Sequence, residues 1–335
     1  PLTYVIVNLA IVAILRTGAV RVDSGVLTQG QVIALYNYMS QILVELIKFA
    51  NLILNITRSV ASGSRIGQLL EQQPSLSSPA AMPAPVETDE AVAFRHVTFR
   101  CPGAKAATLS DIDFTARRGQ TIGIIGGTGS GKTMLANLIG RFYDVDEGSV
   151  TVDGVDVRDY PADALRAKIG LVPQKALLFR GTIRENLLWG DENASDETLA
   201  MALETAQAAE IVAGKVGGLD YEIEAGGRNL SGGQRQRLTI ARALTRKPEI
   251  LILDDSASAL DFATDAALRH ALRALPWHPT TFLISQRTAS IRFADQILVL
   301  DEGHLVGRGT HDELLKTCAV HQEIYNSQFK KEDAG

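Results

Sequence analysis

The sequence is poor in cysteine, has no large excess of charge of one sign and shows no internal repeat. Its two cysteines, Cys101 and Cys318, lie far apart in the sequence and form no metal-ligand cluster. Such sparse cysteine usage favours a reducing compartment. The formal net charge of -5 is only slightly acidic, which disfavours a general nucleic-acid binder.

The chain also lacks an initiator methionine, a signal-peptide pattern and a recognisable targeting tail. It opens at Pro1 directly into an apolar run, so we expect the sequence to be part of a longer protein. The length of 335 residues is sufficient for two domains.

Long hydrophobic runs are present near the N-terminus. Residues 2–20 are mostly apolar and, at ~1.5 Å per residue, are about long enough to cross a bilayer as a helix; a buried helix of a soluble protein is the alternative. The polar, glycine-bearing residues 21–30 predict a turn. A second helical pattern runs from Gln31 to Ser62 without glycine or proline. Its length of roughly 50 Å exceeds the ~30 Å hydrocarbon core, so we expect it to project into the cytoplasm.

Glu45 and Lys48 interrupt the second apolar pattern. They are three residues apart, so they share one helical face and can pair. Ionisable groups at membrane depth usually face a bundle interior or a water-filled cavity, which makes this pair a candidate lining of a transport path. A self-satisfied pair near the cytoplasmic boundary is the alternative.

The strongest sequence signal is a glycine-rich loop between a short apolar run, residues 121–125, and a helical pattern, residues 134–139. Its spacing matches G-x-x-x-x-G-K-[ST], a phosphate-binding loop. Glycines let successive backbone N–H groups point at phosphate oxygens, and the following helix adds its positive end. Lys132 is expected to reach the β- and γ-phosphates of ATP, and Thr133 to bind Mg²⁺. The candidate ATP-binding residues of this loop are Gly126, Gly127, Thr128, Gly129, Ser130, Gly131, Lys132 and Thr133.

Two further segments predict parts of a nucleotide site. Residues 250–255 read as an apolar strand that ends in two carboxylates, with Asp254 placed to hold Mg²⁺ and Asp255 placed for the attacking water. Residues 230–236 open a helix, for which Ser231 is the predicted N-terminal cap. The glycines that follow Ser231 expose backbone N–H groups at a positive helix end, which predicts a second anion site.

Together these motifs resemble those of ABC exporter half-transporters. Residues 230–234 match the family signature Leu-Ser-Gly-Gly-Gln, residues 172–174 the Q-loop and residues 258–261 the D-loop. Residues 181–186 match the exporter-type segment after the Q-loop. The resemblance covers essentially all residues and corresponds to the last two membrane helices, a linker and the whole nucleotide-binding domain.

The resemblance implies the fold class and the domain limits. An all-α transmembrane segment, incomplete here, is expected in residues 1–70, and a proline-rich linker in residues 71–90. Residues 91–335 are expected to form an ABC nucleotide-binding domain, an α/β P-loop NTPase fold with a helical subdomain around residues 175–245.

The resemblance also implies ATP and Mg²⁺ as cofactors and a head-to-tail pair of nucleotide-binding domains. Each ATP would lie between the phosphate loop of one partner and the signature of the other. Gln174 would link Mg²⁺ to the membrane domain, and the implied Mg²⁺ residues are Thr133, Gln174 and Asp254. The residues that would face the partner's ATP are Ser231, Gly232, Gly233, Gln234 and Asp261.

Three positions depart from the family pattern. Asp255 stands where the family usually has Glu, Gln286 where it has the switch histidine, and Cys101 where it has the aromatic residue that stacks on adenine. Asp is one methylene shorter than Glu, and a misplacement of about 1 Å can cost ~10²-fold in rate. Gln cannot carry a proton as His does, and Cys cannot stack as Tyr does, although Phe99 could compensate. We therefore expect ATP binding to survive and hydrolysis at this chain's own site to be poor.

Because the signature is intact, the pattern resembles the degenerate-site half of heterodimeric multidrug ABC exporters, with hydrolysis at the partner's site. The implied cargo is hydrophobic or amphipathic, no nucleic acid is involved, and the nucleotide-binding domain lies on the cytoplasmic side of the bacterial inner membrane. A homodimeric exporter with slow hydrolysis at both sites is one alternative, and a regulatory ATP-binding subunit without transport is another. The first 62 residues disfavour a soluble ABC ATPase that acts on DNA or ribosomes.

Overall fold

The computed structural model describes residues 2–72, 75–256 and 258–329. They fall into two compact units whose boundary lies between Ser75 and Leu76, within the segment predicted as a linker. Residues 1, 73–74, 257 and 330–335 belong to the predicted domains and linker but lie outside the described residues.

The first unit consists of two helices, α1 (Leu2–Asp23) and α2 (Gln29–Leu70). Both are long and apolar enough to cross a membrane, judged by length and composition. At ~1.5 Å per residue they measure about 33 Å and about 63 Å. A capping box starts α2, because the Thr28 hydroxyl accepts from Gln31 N and the Gln31 side chain accepts from Thr28 N.

The second helix is longer than its sequence pattern predicted. We expected it to end at Ser62, whereas α2 continues to Leu70 through Gly63 and Gly67. The expected end was wrong because a glycine in a helix interior costs only ~1 kcal/mol relative to alanine, too little to end a long helix.

Two contacts in the first unit are an ion pair within α2 and a close approach between α1 and α2. Lys48 Nζ lies 2.8 Å from Glu45 Oε1, so the predicted ion pair is confirmed; its role in a transport path stays a prediction. The helices approach closely at Gly18, where a Cβ atom would lie 2.6 Å from Val32 Cγ1. A small residue at this position allows the two backbones to approach.

All strands of the described residues belong to the second unit. In chain order they are β1 (Glu90–Phe99), β2 (Leu109–Arg117), β3 (Thr121–Gly126), β4 (Glu147–Val152), β5 (Val155–Asp156), β6 (Ile169–Val172), β7 (Gly181–Thr182), β8 (Glu222–Ile223), β9 (Ile250–Asp254), β10 (Thr280–Ile284), β11 (Gln296–Asp301) and β12 (His304–Gly309). The helices of this unit are α3 (Lys132–Ile139), α4 (Ala162–Ala167), α5 (Ile183–Leu188), α6 (Asp196–Thr205), α7 (Ala209–Ala213), α8 (Gly232–Thr245), α9 (Phe262–Arg273), α10 (Thr288–Ile291), α11 (His311–Thr317) and α12 (Ala319–Phe329).

The strands form two large sheets and one short hairpin of β7 and β8. The antiparallel sheet has the order β2-β1-β4-β5, and the six-stranded sheet has the order β12-β11-β3-β10-β9-β6. In the six-stranded sheet β11, β3, β10, β9 and β6 are parallel, whereas β12 is an antiparallel edge strand. The parallel strands are mostly apolar because both of their faces are buried, one of them toward α3 and the antiparallel sheet. Their carboxyl ends share one edge, which is where ligands bind in open α/β sheets.

The helices between β6 and β9 form a layer whose core also includes residues of β6, β9 and α9. α8 packs against α5 and α6, and buried leucines and isoleucines from these helices fill the space between them. This layer coincides with the helical subdomain predicted around residues 175–245, so the predicted α/β architecture with an inserted helical segment is confirmed.

The two C-terminal helices, α11 and α12, are joined by a pair of imidazoles. His311 Nδ1 and His321 Nε2 are 3.0 Å apart, and His321 is fully buried. Burial lowers the pKa of His321, and the proximity of His311 lowers it further. Burial also lowers the pKa of His311, against the opposing effect of Asp312 and with the help of Arg292. The folded chain therefore favours the neutral form of both rings.

This pair predicts a loss of stability in acid. As the pH falls through about 6.5, the unfolded chain binds protons on these histidines that the folded chain does not, so the free energy of unfolding decreases until the folded pKa values are passed. His321→Gln keeps a polar group near the Nε2 position but does not titrate, so its melting temperature should depend less on pH in this range. Thermal melting of the detergent-solubilised chain between about pH 7.5 and about pH 5 measures the difference. Identical pH dependence of the two proteins would contradict the prediction.

Candidate nucleotide-binding site

The glycine-rich loop joins β3 to α3 at the carboxyl edge of the six-stranded sheet. Gly131 precedes α3 with a φ of 96°, and Gly129 has a φ of 83°, a region that L side chains rarely adopt. A Cβ atom at Gly131 would lie 2.5 Å from Leu109 Cδ2, whereas nothing lies within 4 Å of the ideal Cβ position at Gly127. The loop is therefore packed against the domain on one side and open on the other, which fits a phosphate cradle.

Lys132 directs its ammonium group into this loop. Its Nζ donates to Gly126 O at 2.9 Å, to Gly127 O at 2.6 Å and to Ser130 Oγ at 3.3 Å. The residue is 9% exposed, and burial lowers the pKa of Lys132 while two nearby carboxylates raise it. Phosphate oxygens form stronger, charge-assisted hydrogen bonds than these carbonyl and hydroxyl oxygens. A bound phosphate can therefore replace them as the acceptors of the hydrogen bonds that the ammonium group donates.

Asp254, the last residue of β9, lies beside the first turn of α3. Burial raises the pKa of Asp254, and the hydrogen bond with the Thr133 side chain opposes this rise. A carboxylate and a hydroxyl oxygen are the hard donors that Mg²⁺ prefers. The structure thus brings Thr133 and Asp254 together as a fitting pair for Mg²⁺.

Asp255 and Gln174 meet at the same edge of the sheet, although 81 residues separate them. Gln174 Nε2 donates to Asp255 Oδ2 at 3.3 Å. The backbone of Asp255 has a φ of 46°, which Asp tolerates better than most residues, and its N–H donates to Ile284 O at 2.9 Å. The carboxylate that was predicted to lie at the attacking water therefore accepts a hydrogen bond from the amide that was predicted to bind Mg²⁺.

Gln286 lies in the loop that follows β10. In the sheet register, Ile284 of β10 is level with Ile124 of β3 and with Asp254 of β9. Gln286, two residues further along, is exposed at the sheet edge that carries the glycine-rich loop. The structure thus brings this predicted position to the candidate site.

The signature forms the first turn of α8. Ser231 Oγ accepts from Gln234 N at 3.2 Å and Gln234 Oε1 accepts from Ser231 N at 3.1 Å, so the predicted cap at Ser231 is confirmed as a capping box. Ser231 and Gly232 are exposed, and no atom lies within 4 Å of the ideal Cβ position at Gly232. Sequence reasoning missed Arg235. Its guanidinium donates a hydrogen bond to Leu230 O at 2.7 Å and so stabilises the first residue of the signature.

Asp261 of the D-loop caps α9. Its carboxylate accepts from Thr264 N at 2.9 Å and from Thr264 Oγ1 at 2.8 Å, and these hydrogen bonds lower the pKa of Asp261. The spacing of Asp and Thr three residues apart is a capping pattern that could have been found in the sequence. The D-loop also borders the signature, because a Cβ atom at Gly233 would lie 3.1 Å from Ala259 O.

Thr108 lies between Cys101 and the glycine-rich loop and has neighbours on both. Thr108 Oγ1 lies 3.2 Å from Cys101 Sγ, and Thr108 O would lie 3.1 Å from a Cβ atom at Gly131. Cys101 is half-buried and packs against the core of the antiparallel sheet. Phe99 does not offer a compensating ring, because it is 3% exposed and its ring contacts that of Tyr143 at a centroid distance of 5.5 Å. The suggestion that Phe99 stacks on adenine was therefore wrong.

The two elements that were predicted to bind phosphate have different neighbours in the fold. α3, which follows the glycine-rich loop, packs against β3, β4, β9 and β10, whereas α8, which begins with the signature, packs against α5, α6 and β6. They therefore belong to different layers of the second unit.

Comparisons with known proteins agree with this geometry. Residues 109–258 match the family model described as ABC transporter. The chain is 43% identical over 332 residues to YfiB of Bacillus subtilis (strain 168), an uncharacterized ABC transporter ATP-binding protein, covering 99% of this chain and 57% of the relative. It is 39% identical to YheI of the same organism, a probable multidrug resistance ABC transporter ATP-binding/permease protein, covering 95% and 54%. A bacterial Atm1-family ABC exporter solved with ATP bound superposes with a TM-score of 0.77 at 32% identity, covering 97% of this chain and 57% of the exporter chain.

The fold defines the second unit as an ABC-type nucleotide-binding domain. Two long helices precede this domain in the sequence, and the similarity to the Atm1-family exporter chain covers 97% of this chain. The chain spans a little over half of the length of the relatives that it matches.

Proposed function

We propose that the chain is the ATP-binding half of an ATP-driven membrane exporter whose own ATP site binds nucleotide tightly but hydrolyses it poorly. The observation that carries the proposal is the set of contacts at the carboxyl edge of the sheet. Lys132 points into the glycine-rich loop, Asp254 meets Thr133, and Gln174 contacts Asp255. These groups are what Mg²⁺ and a triphosphate require.

The side chains at this site favour the binding of ATP over its hydrolysis. Lys132 would neutralise the β- and γ-phosphates, and Thr133 and Asp254 would hold Mg²⁺, which spreads the charge of the phosphates. The side chain of Asp255 is one methylene shorter than that of Glu, and its carboxylate accepts a hydrogen bond from Gln174. Gln286 can donate a hydrogen bond but cannot carry a proton. A water molecule at the terminal phosphate would therefore be poorly activated.

A partner half is part of this proposal. The signature and the glycine-rich loop of one chain belong to different layers, and the exposed signature has room at Gly232 for an approaching phosphate. An intact signature beside a weakened own site supports a heterodimer, in which this chain's signature completes the competent site of the partner.

Membrane location rests on the first unit, and a surface of the second unit is a candidate interaction site. α1 and α2 are long and apolar enough to span a bilayer. On the second unit, Phe142, Phe179 and Trp189 are partly exposed and line a cavity of about 260 Å³, close to the segment that follows Gln174. Exposed apolar patches mark interaction sites. We place the first unit in the inner membrane and the second in the cytoplasm. From the similarity to the probable multidrug resistance protein YheI we assign hydrophobic or amphipathic molecules as cargo.

A single-turnover chase on the assembled transporter, containing this chain and its partner half, tests the proposal. After loading with labelled ATP and chasing with unlabelled ATP, label at this chain's site should remain as ATP over several turnovers at the other site. Lys132→Ala in this chain should abolish the retained label, because the β- and γ-phosphates lose the ammonium group that donates charge-assisted hydrogen bonds to them. Lys316→Ala, an exposed lysine on α11, is the matched control and should retain it.

Two outcomes would contradict this assignment. Label that leaves both sites equally fast, or that is recovered as ADP from both, would favour a symmetric transporter that hydrolyses slowly at two sites. Retention of ATP without cargo movement in vesicles that contain the assembled pair would favour a regulatory ATP-binding subunit.

A further inference from the structure

The last helix holds the loop that carries Gln286. α12 packs against α10, β3 and β11, and it places the side-chain amide of Gln328 against this loop. Gln328 Nε2 donates to Gln286 O at 2.6 Å, and Gln328 Oε1 accepts from Thr288 N at 2.9 Å. One amide thus bridges two backbone groups that flank Arg287.

The two backbone groups that Gln328 bridges, Gln286 O and Thr288 N, require an amide side chain. A carbonyl oxygen needs a donor and an N–H group needs an acceptor, so a single orientation of the Gln328 amide satisfies both. Thr288 is fully buried, and a buried N–H without a partner costs ~1–3 kcal/mol. A carboxylate would keep the acceptor for Thr288 N but would set an oxygen against Gln286 O.

Other contacts fix the residues on either side of Gln286. Ser285 N donates to Ile124 O at 3.1 Å on the neighbouring strand. Arg287 donates from its backbone N to Ser285 Oγ at 3.0 Å and from its guanidinium to Ser258 O at 3.2 Å. The peptide carbonyl of Gln286 itself is held by Gln328, which comes from the far end of the chain.

We propose that Gln328 is a positioning residue for nucleotide recognition, which holds Gln286 where its side-chain amide reaches the terminal phosphate of ATP. The inference rests on the proposed function, in which the Lys132 loop binds ATP. The sheet register sets Gln286 at the same edge as that loop, and an amide can donate to a γ-phosphate oxygen. ADP lacks this phosphate, so Gln328 contributes to the preference for ATP over ADP.

The test compares Gln328→Glu with Gln322→Glu in the full chain in detergent. Both residues lie on α12 and both donate from Nε2 to a backbone carbonyl, but Gln322 donates to Leu315 O at 2.7 Å, away from the loop. The affinities for Mg²⁺–ATP and Mg²⁺–ADP are measured by displacement of a fluorescent nucleotide. Gln328→Glu should weaken ATP binding roughly tenfold, the equivalent of one lost hydrogen bond, and leave ADP binding unchanged. Gln322→Glu should change neither affinity.

A double-mutant cycle distinguishes positioning from general stabilisation. If Gln328 acts through Gln286, then Gln328→Glu should have no further effect on the ATP-to-ADP preference in a Gln286→Ala background. Equal losses for ATP and ADP, or no loss in a folded variant, would overturn the inference; Gln328→Met serves if the glutamate variant does not fold. Absence of ATP and ADP binding by the unmodified chain would overturn the proposed function as well, whereas normal ATP binding by Gln328→Glu would overturn only the role of Gln328.

Discussion

Gly232→Asp is expected to abolish ATP turnover by the assembled pair while leaving nucleotide binding at this chain's own loop unchanged. Gly232 is exposed in the first turn of α8, and an added Cβ meets no atom within 4 Å of its own chain. A side chain therefore has room to start at this position without a clash at its first atom. On the proposed function it places an anion against the γ-phosphate held by the partner, at a helix end that otherwise favours negative charge on the nucleotide.

A second variant distinguishes the effect of the added side chain's size from the effect of its charge. Gly232→Asn adds nearly the same volume without the charge, so it should reduce turnover less than Gly232→Asp does. Steady-state ATPase activity of the assembled pair gives the main measurement, and nucleotide binding by the chain alone reports that its own site is intact. Turnover near the normal rate in the Gly232→Asp assembly would be incompatible with the signature serving the partner's ATP.

The combined change Asp255→Glu and Gln286→His is expected to raise hydrolysis at this chain's own site by about 10²-fold. The longer Glu side chain brings its carboxylate about 1 Å closer to the attacking water, and a misplacement of that size accounts for ~10²-fold in rate. The histidine restores a group that can carry a proton at the terminal phosphate. Each single change should yield less than the pair.

The measurement is single-turnover hydrolysis in an assembly whose partner site has been inactivated. Adding Lys132→Ala should remove the gained activity, which shows that it arises at this loop. Asp255 has a φ of 46°, so glutamate costs roughly 1 kcal/mol of stability there, and thermal melting monitors this effect. An unmodified chain that already hydrolyses ATP at the rate of the double variant would show that the site is not degenerate.

The parts of the site that could be predicted are those encoded by local spacing. Glycines at fixed intervals before Lys132 require a tight loop, an apolar run before Asp254 requires a buried strand, and Ser231 followed by Gln234 requires a capping box. Each signal lies within a few residues, and backbone geometry converts it directly into structure. The resemblance to ABC exporters then supplied the assignment of roles.

Contacts between segments that are distant in the sequence could not be predicted from local spacing. The hydrogen bonds from Gln174 to Asp255 and from Gln328 to Gln286 join residues 81 and 42 positions apart. The burial of Phe99 against Tyr143 likewise depends on packing between β1 and the segment after α3. Sequence spacing determines which groups a segment carries and on which face, because dihedral angles and periodicity are local. Which groups then touch depends on how strands and helices pack, because a side-chain hydrogen bond needs two elements to be placed within about 3 Å of each other.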